Sequence, residues 1–135
     1  MEEMHVKLID QDSKVEVIYV DSHVKLRCTY SRKGLIKTDL IIVLGSQELL
    51  EVYGLVSAVA SSEQVSGSLF LLSNQKKKVK VGLMKQEVDD EESLYEYRFH
   101  VEEVSSGNFV FLRLNPASFK VLEASLFMAL ERFLI

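Results

Sequence analysis

NPASFKVLEASLFMALERFLI, residues 115–135, is the stretch on which the reading of the whole chain turns. Asn115 is a good helix N-cap, and Pro116 suits the first helical position, where a missing N–H leaves no bond unmade. At helical spacing Phe119, Leu122, Leu126, Ala129, Leu130 and Phe133 gather on one side. The pattern predicts a helix over 116–135 whose apolar stripe packs on a sheet. A second strip, Val121, Ala124, Met128 and Ile135, lies on roughly the opposite side, flanked by Lys120, Glu131 and Arg132. As a pure cap the helix would be polar there, so these four residues are a candidate interface for a second copy of the chain or a partner helix.

Upstream of the helix, strand signals dominate. Val15, Val17 and Tyr19 alternate with Glu16, Ile18 and Val20, and Val24, Leu26, Cys28 and Tyr30 alternate with Lys25, Arg27, Thr29 and Ser31. Asp21-Ser22 between them reads as a hairpin turn. Further strands are expected at Thr38 to Leu44, Leu69 to Leu72 and Lys78 to Met84. In Tyr95 to Val101, Tyr95, Tyr97, Phe99 and Val101 share one face, with Glu96, Arg98 and His100 on the other. Phe109 to Leu114 is apolar on both faces, which predicts a strand covered on both sides. The segment 47–60 carries two patterns. Leu49, Val52, Tyr53, Val56 and Val59 have helical spacing behind Ser46, whereas the β-branched run and Gly54 favour a strand, the assignment adopted here.

Together these predict one mainly β (α+β) domain spanning 1–135, an antiparallel β-barrel or sandwich of about seven strands closed by the helix 116–135. No linker composition and no internal repeat stand out. At 135 residues the chain buries enough surface to fold without staples. Cys28 has no partner for an intrachain disulfide, and Met-Glu-Glu-Met-His is not a secretory signal, so a cytoplasmic, reducing compartment is expected. The most apolar stretch, 49–60, is interrupted by Glu51, Gly54 and Ser57 and is too short to cross a bilayer core of about 30 Å as a helix.

Charge narrows the function classes. Sixteen basic and twenty acidic residues give a net charge of −4, the wrong sign for gripping nucleic acid with the whole surface. Sequence-specific nucleic-acid binding is therefore not expected. Two local basic groups remain: Lys76, Lys77, Lys78, Lys80 and Lys85, followed by Asp89 to Glu92, and Lys25, Arg27, Arg32 and Lys33 beside Gly34. Lys25, Arg27, Arg32, Lys33, Lys78 and Lys80 are the candidate anion-binding residues, for a phosphoinositide headgroup or a nucleotide. The same lysines also serve to blunt a sheet edge.

Catalysis finds little support. Period-two alternation turns Cys28 toward the core, away from His100, so it reads as an inert thiol. His5, His23, His100 and Cys28 lack the paired spacings of a zinc site, and the six glycines are scattered singly, with no phosphate loop. No catalytic residue, metal or cofactor is assigned.

Strands followed by one terminal helix resemble the pleckstrin-homology superfold, and Lys14 with Lys25-Leu26-Arg27 is similar to the basic pattern of its phosphoinositide binders. A PilZ-type barrel, whose family binds cyclic dinucleotides, also ends in a helix. Arg27 and Arg32 are spaced too widely for its paired-arginine motif, and 61–67 lacks its second motif. The expectation is a non-catalytic protein-interaction or adaptor module, self-associating through the terminal helix. The alternative is a receptor for an anionic ligand: phosphoinositide, nucleotide or cyclic dinucleotide.

Overall fold

The computed structural model describes residues 3–20, 23–72, 77–89 and 94–133. The Asp21-Ser22 turn, Lys76, the acidic residues 90–92 and Ile135 lie outside them. Strands β1 (Met4–Asp10), β2 (Ser13–Val20), β3 (His23–Arg32) and β4 (Leu35–Leu44) form one antiparallel sheet in that order, followed by helix α1 (Ser46–Ala60). The second half repeats the plan with β5 (Ser66–Leu72), β6 (Lys78–Asp89), β7 (Leu94–Glu103), β8 (Phe109–Leu114) and helix α2 (Pro116–Phe133). The chain is therefore mainly β and antiparallel with a C-terminal helix. Among the described residues eight strands form two open sheets, which fits the sandwich alternative and not the closed barrel, and the repeat exists in the order of elements rather than in the residues.

Alternation sets what each sheet buries. Met4 and Leu8, Val15 and Val17, Val24, Leu26 and Cys28, and Leu40, Ile42 and Leu44 line the inner face of the first sheet. Val79, Val81 and Leu83, Tyr97, Phe99 and Val101, and Val110, Leu112 and Leu114 do the same in the second. Both helices fill the space against these faces. Helix α2 buries Phe119, Leu122, Leu126 and Ala129 as its stripe predicts, and the Phe119 ring stacks on Tyr97 with centroids 3.8 Å apart. The Asn115 Oδ1 accepts a 2.8 Å hydrogen bond from the Ser118 amide, which closes the N-terminus as expected of a cap.

Residues 46–60 are helical, so the strand assignment there is corrected. Leu49, Val52, Leu55, Val56 and Val59 are all buried, a stripe that only a helix makes contiguous. Packing against α2 and the second sheet outweighs the modest strand preference of valine. Gly54 sits on the open side of α1 with nothing near it, so it costs helix propensity without breaking the turn. The tighter glycine is Gly67 on β5, where a Cβ would stand 2.7 Å from the Leu55 Cδ1 and 2.8 Å from the Gln64 Oε1, so both side chains would have to shift.

Strand β8, the edge of the second sheet, touches all four strands of the first, so it lies across them. The Asp10 carboxylate ties the two together, accepting a 2.9 Å hydrogen bond from the Arg113 amide. That bond also satisfies an N–H on an edge that would otherwise be open to pairing.

Candidate nucleic-acid interface

The outer face of the second sheet is built from the positions that alternate with its core. Cross-strand register sets Phe70, Lys80, Glu102 and Phe109 in one row, and Ser68, Gly82, His100 and Phe111 in the next. Phe70 and Phe109 are each 54% exposed. The Lys78 ammonium stands 4.5 Å from the centre of the Phe70 ring, and His100 meets Phe109 with centroids 5.6 Å apart. Burial pushes the His100 imidazole below its usual range, Glu102 opposing the shift and Lys80 adding to it. The ring is therefore neutral at neutral pH and joins the platform as a flat π surface. Strand β8 is thus open on this face, correcting the expectation that it is covered on both sides; its apolar residues gave no sign of which layer stops short.

Where β8 crosses the first sheet, two recesses of about 430 and 440 Å³ share Ser13, Tyr30 and Phe111 and so form one groove. One end holds Lys37, Thr38, Asn108 and Phe109. The other holds Asp10, Arg98 and Arg113. Here Glu96 lies 3.6 Å from Arg98 and 3.9 Å from Arg113. The Arg98 Nε is buried and has no acceptor among the described residues. The groove is aromatic in the middle, carries Lys37 at one end, and at the other holds Arg98 and Arg113 balanced by Asp10, Asp12 and Glu96.

The six candidate anion-binding residues do not form one patch. Lys25 and Arg27 sit on the outer face of the first sheet, where Arg27 is committed to Asp39 by two hydrogen bonds of 2.9 and 3.1 Å. That pairing raises the Arg27 pKa further. Arg32 and Lys33 stand at the β3–β4 turn, and Lys78 and Lys80 on the second sheet. Lys85, grouped with them in sequence, pairs with Tyr97 and so points to the opposite face, 4.2 Å from the Tyr95 ring and hydrogen-bonded to Ser62 Oγ. Sequence reasoning passed over Phe70, Phe109, Phe111 and Arg113. The alternation of β7 next door was the available signal for which of their faces is wet.

Of the candidate interface on α2, Val121 is 45% and Met128 47% exposed, and Ala124 is exposed too. From helix α1 the Tyr53 ring meets Phe127 of α2 at 5.8 Å. Among the described residues no helix is long and apolar enough to cross a membrane.

Cys28 is fully buried, and burial, with smaller contributions from Asp39 and Glu16, pushes its thiol up from about 9 to about 12. The sign of the pH effect follows from which state holds the proton. Between those values the folded thiol stays protonated while the unfolded one ionises, so stability falls as pH rises, by up to about 1.4 kcal/mol per unit. Urea unfolding of the wild type and of Cys28→Val from pH 8 to 11 should show a steeper decline in the wild type. Parallel curves would place the thiol in contact with solvent.

No family model and no curated protein matches the chain. Among solved structures it is similar to WHY1 from Arabidopsis thaliana, with a TM-score of 0.58 and 14% identity over 96% of this chain and 84% of that one. It is also similar to WHY3 from the same plant, with a TM-score of 0.54 and 12% identity over 94% of this chain and 86% of that one. At such identity the likeness is one of fold. The neighbours are WHY proteins, not pleckstrin-homology or PilZ domains. That finding overturns the adaptor or scaffold that self-associates through its terminal helix, the receptor for a phosphoinositide, nucleotide or cyclic dinucleotide, and the expectation of no sequence-specific nucleic-acid binding. That expectation rested on whole-chain charge, which averages away a local platform of rings and cations.

Proposed function

We propose that the protein binds single-stranded nucleic acid, without catalysis, across the outer face of the second sheet and into the groove beside β8. The observation that carries this reading is the exposed pair Phe70 and Phe109 with the half-buried Phe111, interleaved with Lys78, Lys80 and His100, on a fold shared with proteins that bind single-stranded DNA. Alternate residues of a strand stand about 6.8 Å apart, roughly twice the ~3.4 Å repeat of stacked nucleotides, so a base ring fits between the side chains of Phe109 and Phe111. Stacking of this kind tolerates any base. Tyr30 lines the groove beside Phe111, and Lys37 in the groove with Lys78 and Lys80 on the sheet are placed for phosphate oxygens.

Because the chain is acidic overall, stacking rather than charge supplies most of the affinity, and few counterions are released. Fluorescence anisotropy with labelled oligothymidine and with a duplex of equal length tests this. Single strand should bind more tightly, and the logarithm of its binding constant should fall with that of salt at a slope of about −2 to −3, as a few phosphate contacts require. Equal binding of both forms, or none at low salt, ends the reading. The buried free thiol agrees with an intracellular, reducing site of action.

A further inference from the structure

The β3–β4 hairpin projects an apolar tip that single-strand binding does not use. Its turn is only two residues long, with Lys33 at φ 53° and Gly34 at φ 78°, the tight geometry that matches strand twist and stiffens a hairpin. Leu35 is 64% and Ile36 59% exposed. As consecutive strand residues they stand on opposite faces, so the ribbon is apolar on both sides. The register shifts between Tyr30 and Ser31, and such a bulge bends and twists the ribbon beyond it. From Tyr30 to Thr38 the hairpin holds Arg32, Lys33 and Lys37 and no carboxylate, in a chain of net charge −4. Its base is the groove itself, lined by Tyr30, Lys37 and Thr38.

We propose that this hairpin is a wedge that opens the end of a base-paired nucleic acid, so that the protein separates strands as well as holding one. The inference rests on the single-strand reading above. Aliphatic side chains inserted between base steps unstack them, as in proteins that kink DNA. Leu35 and Ile36 take that part here. Arg32 and Lys33 hold the flanking phosphates, and the freed strand runs past Lys37 into the groove. Continuity with the groove and the cationic flanks favour a nucleic-acid end over a second protein as the occupant.

The test uses the whole protein and a short DNA duplex with an oligothymidine tail, a fluorophore and quencher marking the junction. The same samples are measured for oligothymidine binding and for sedimentation. Leu35→Thr/Ile36→Thr keeps strand-forming side chains at two exposed positions, and circular dichroism with each single variant checks the fold. The wild type should open the junction. The double variant should bind oligothymidine with unchanged affinity and open the junction roughly tenfold less at equal occupancy. Passive melting follows strand affinity alone, so equal opening by the variant overturns the wedge. A wild type that binds the tail without opening the duplex also overturns it and leaves the single-strand reading standing. Failure to bind oligothymidine removes both. A change of sedimentation in the variant assigns the tip to a contact between copies, against the proposal.

Discussion

Replacing Phe70 and Phe109 together by alanine is expected to weaken oligothymidine binding at least about thirtyfold, since each lost stacking platform costs about 1–3 kcal/mol and every 1.4 kcal/mol is tenfold. The two rings share a cross-strand row and are separated by Lys80 and Glu102, so one strand of nucleic acid passing along the sheet meets both. Each is half exposed, so truncation leaves the inner face of the sheet intact and the unfolding transition close to that of the wild type. Anisotropy titrations of the double variant, beside Val121→Ser on the far helix as control, give the comparison. Unchanged affinity in the double variant would move the binding surface off the second sheet.

The largest stability effect is expected at Phe99. Among the described residues it is the bulkiest fully buried side chain, on central strand β7, with Leu83 and Leu112 as its cross-strand neighbours. Phe99→Ala should cost about 3–5 kcal/mol, the transfer of the ring plus the cavity it leaves, against the roughly 5–15 kcal/mol by which domains are stable. Urea denaturation measures it directly, and Phe99→Leu should recover most of the loss. A change below about 1 kcal/mol in Phe99→Ala would mean that the core collapses around the gap. The residue also matters to the site. Its alternation partner His100 stands on the outer face, so packing of Phe99 holds the register that presents the platform.

Much of this architecture was legible because its signals are local. The β2–β3 pairing, the alternation of β7, the bounds of β8 and the capped start of α2 follow from patterns a few residues long. Strand β1 was not read, although Met4, Val6 and Leu8 alternate with His5, Lys7 and Ile9, because so short a pattern carries little weight. What a window of residues does not contain is the layer lying over it. Residues 46–60 hold valines that suit either element, and the choice was made by α2 and the second sheet packing on one stripe. Phe109 and Phe111 look like core for the same reason, since hydrophobicity records no missing neighbour. The six cations are close in sequence or type, yet pleat and sheet division send them to three surfaces. The element repeat stayed hidden because each half fills the same plan with different side chains.

That repeat has a topological side. Met4 on β1 pairs with Tyr19, and the Tyr19 ring meets Phe133 of α2 edge-on at 6.3 Å, so the path of the chain returns to its starting point. Between the halves runs only the short exposed link 61–65. Followed as a closed curve, the backbone traces sheet, helix, sheet and helix. The gap between Met4 and Phe133 and the link at 61–65 then occupy corresponding places on it, each joining the end of a helix to the first strand of a sheet. The packing nonetheless tells the halves apart, since β8 lies across all four strands of the first sheet whereas β4 meets the second sheet mainly at β8.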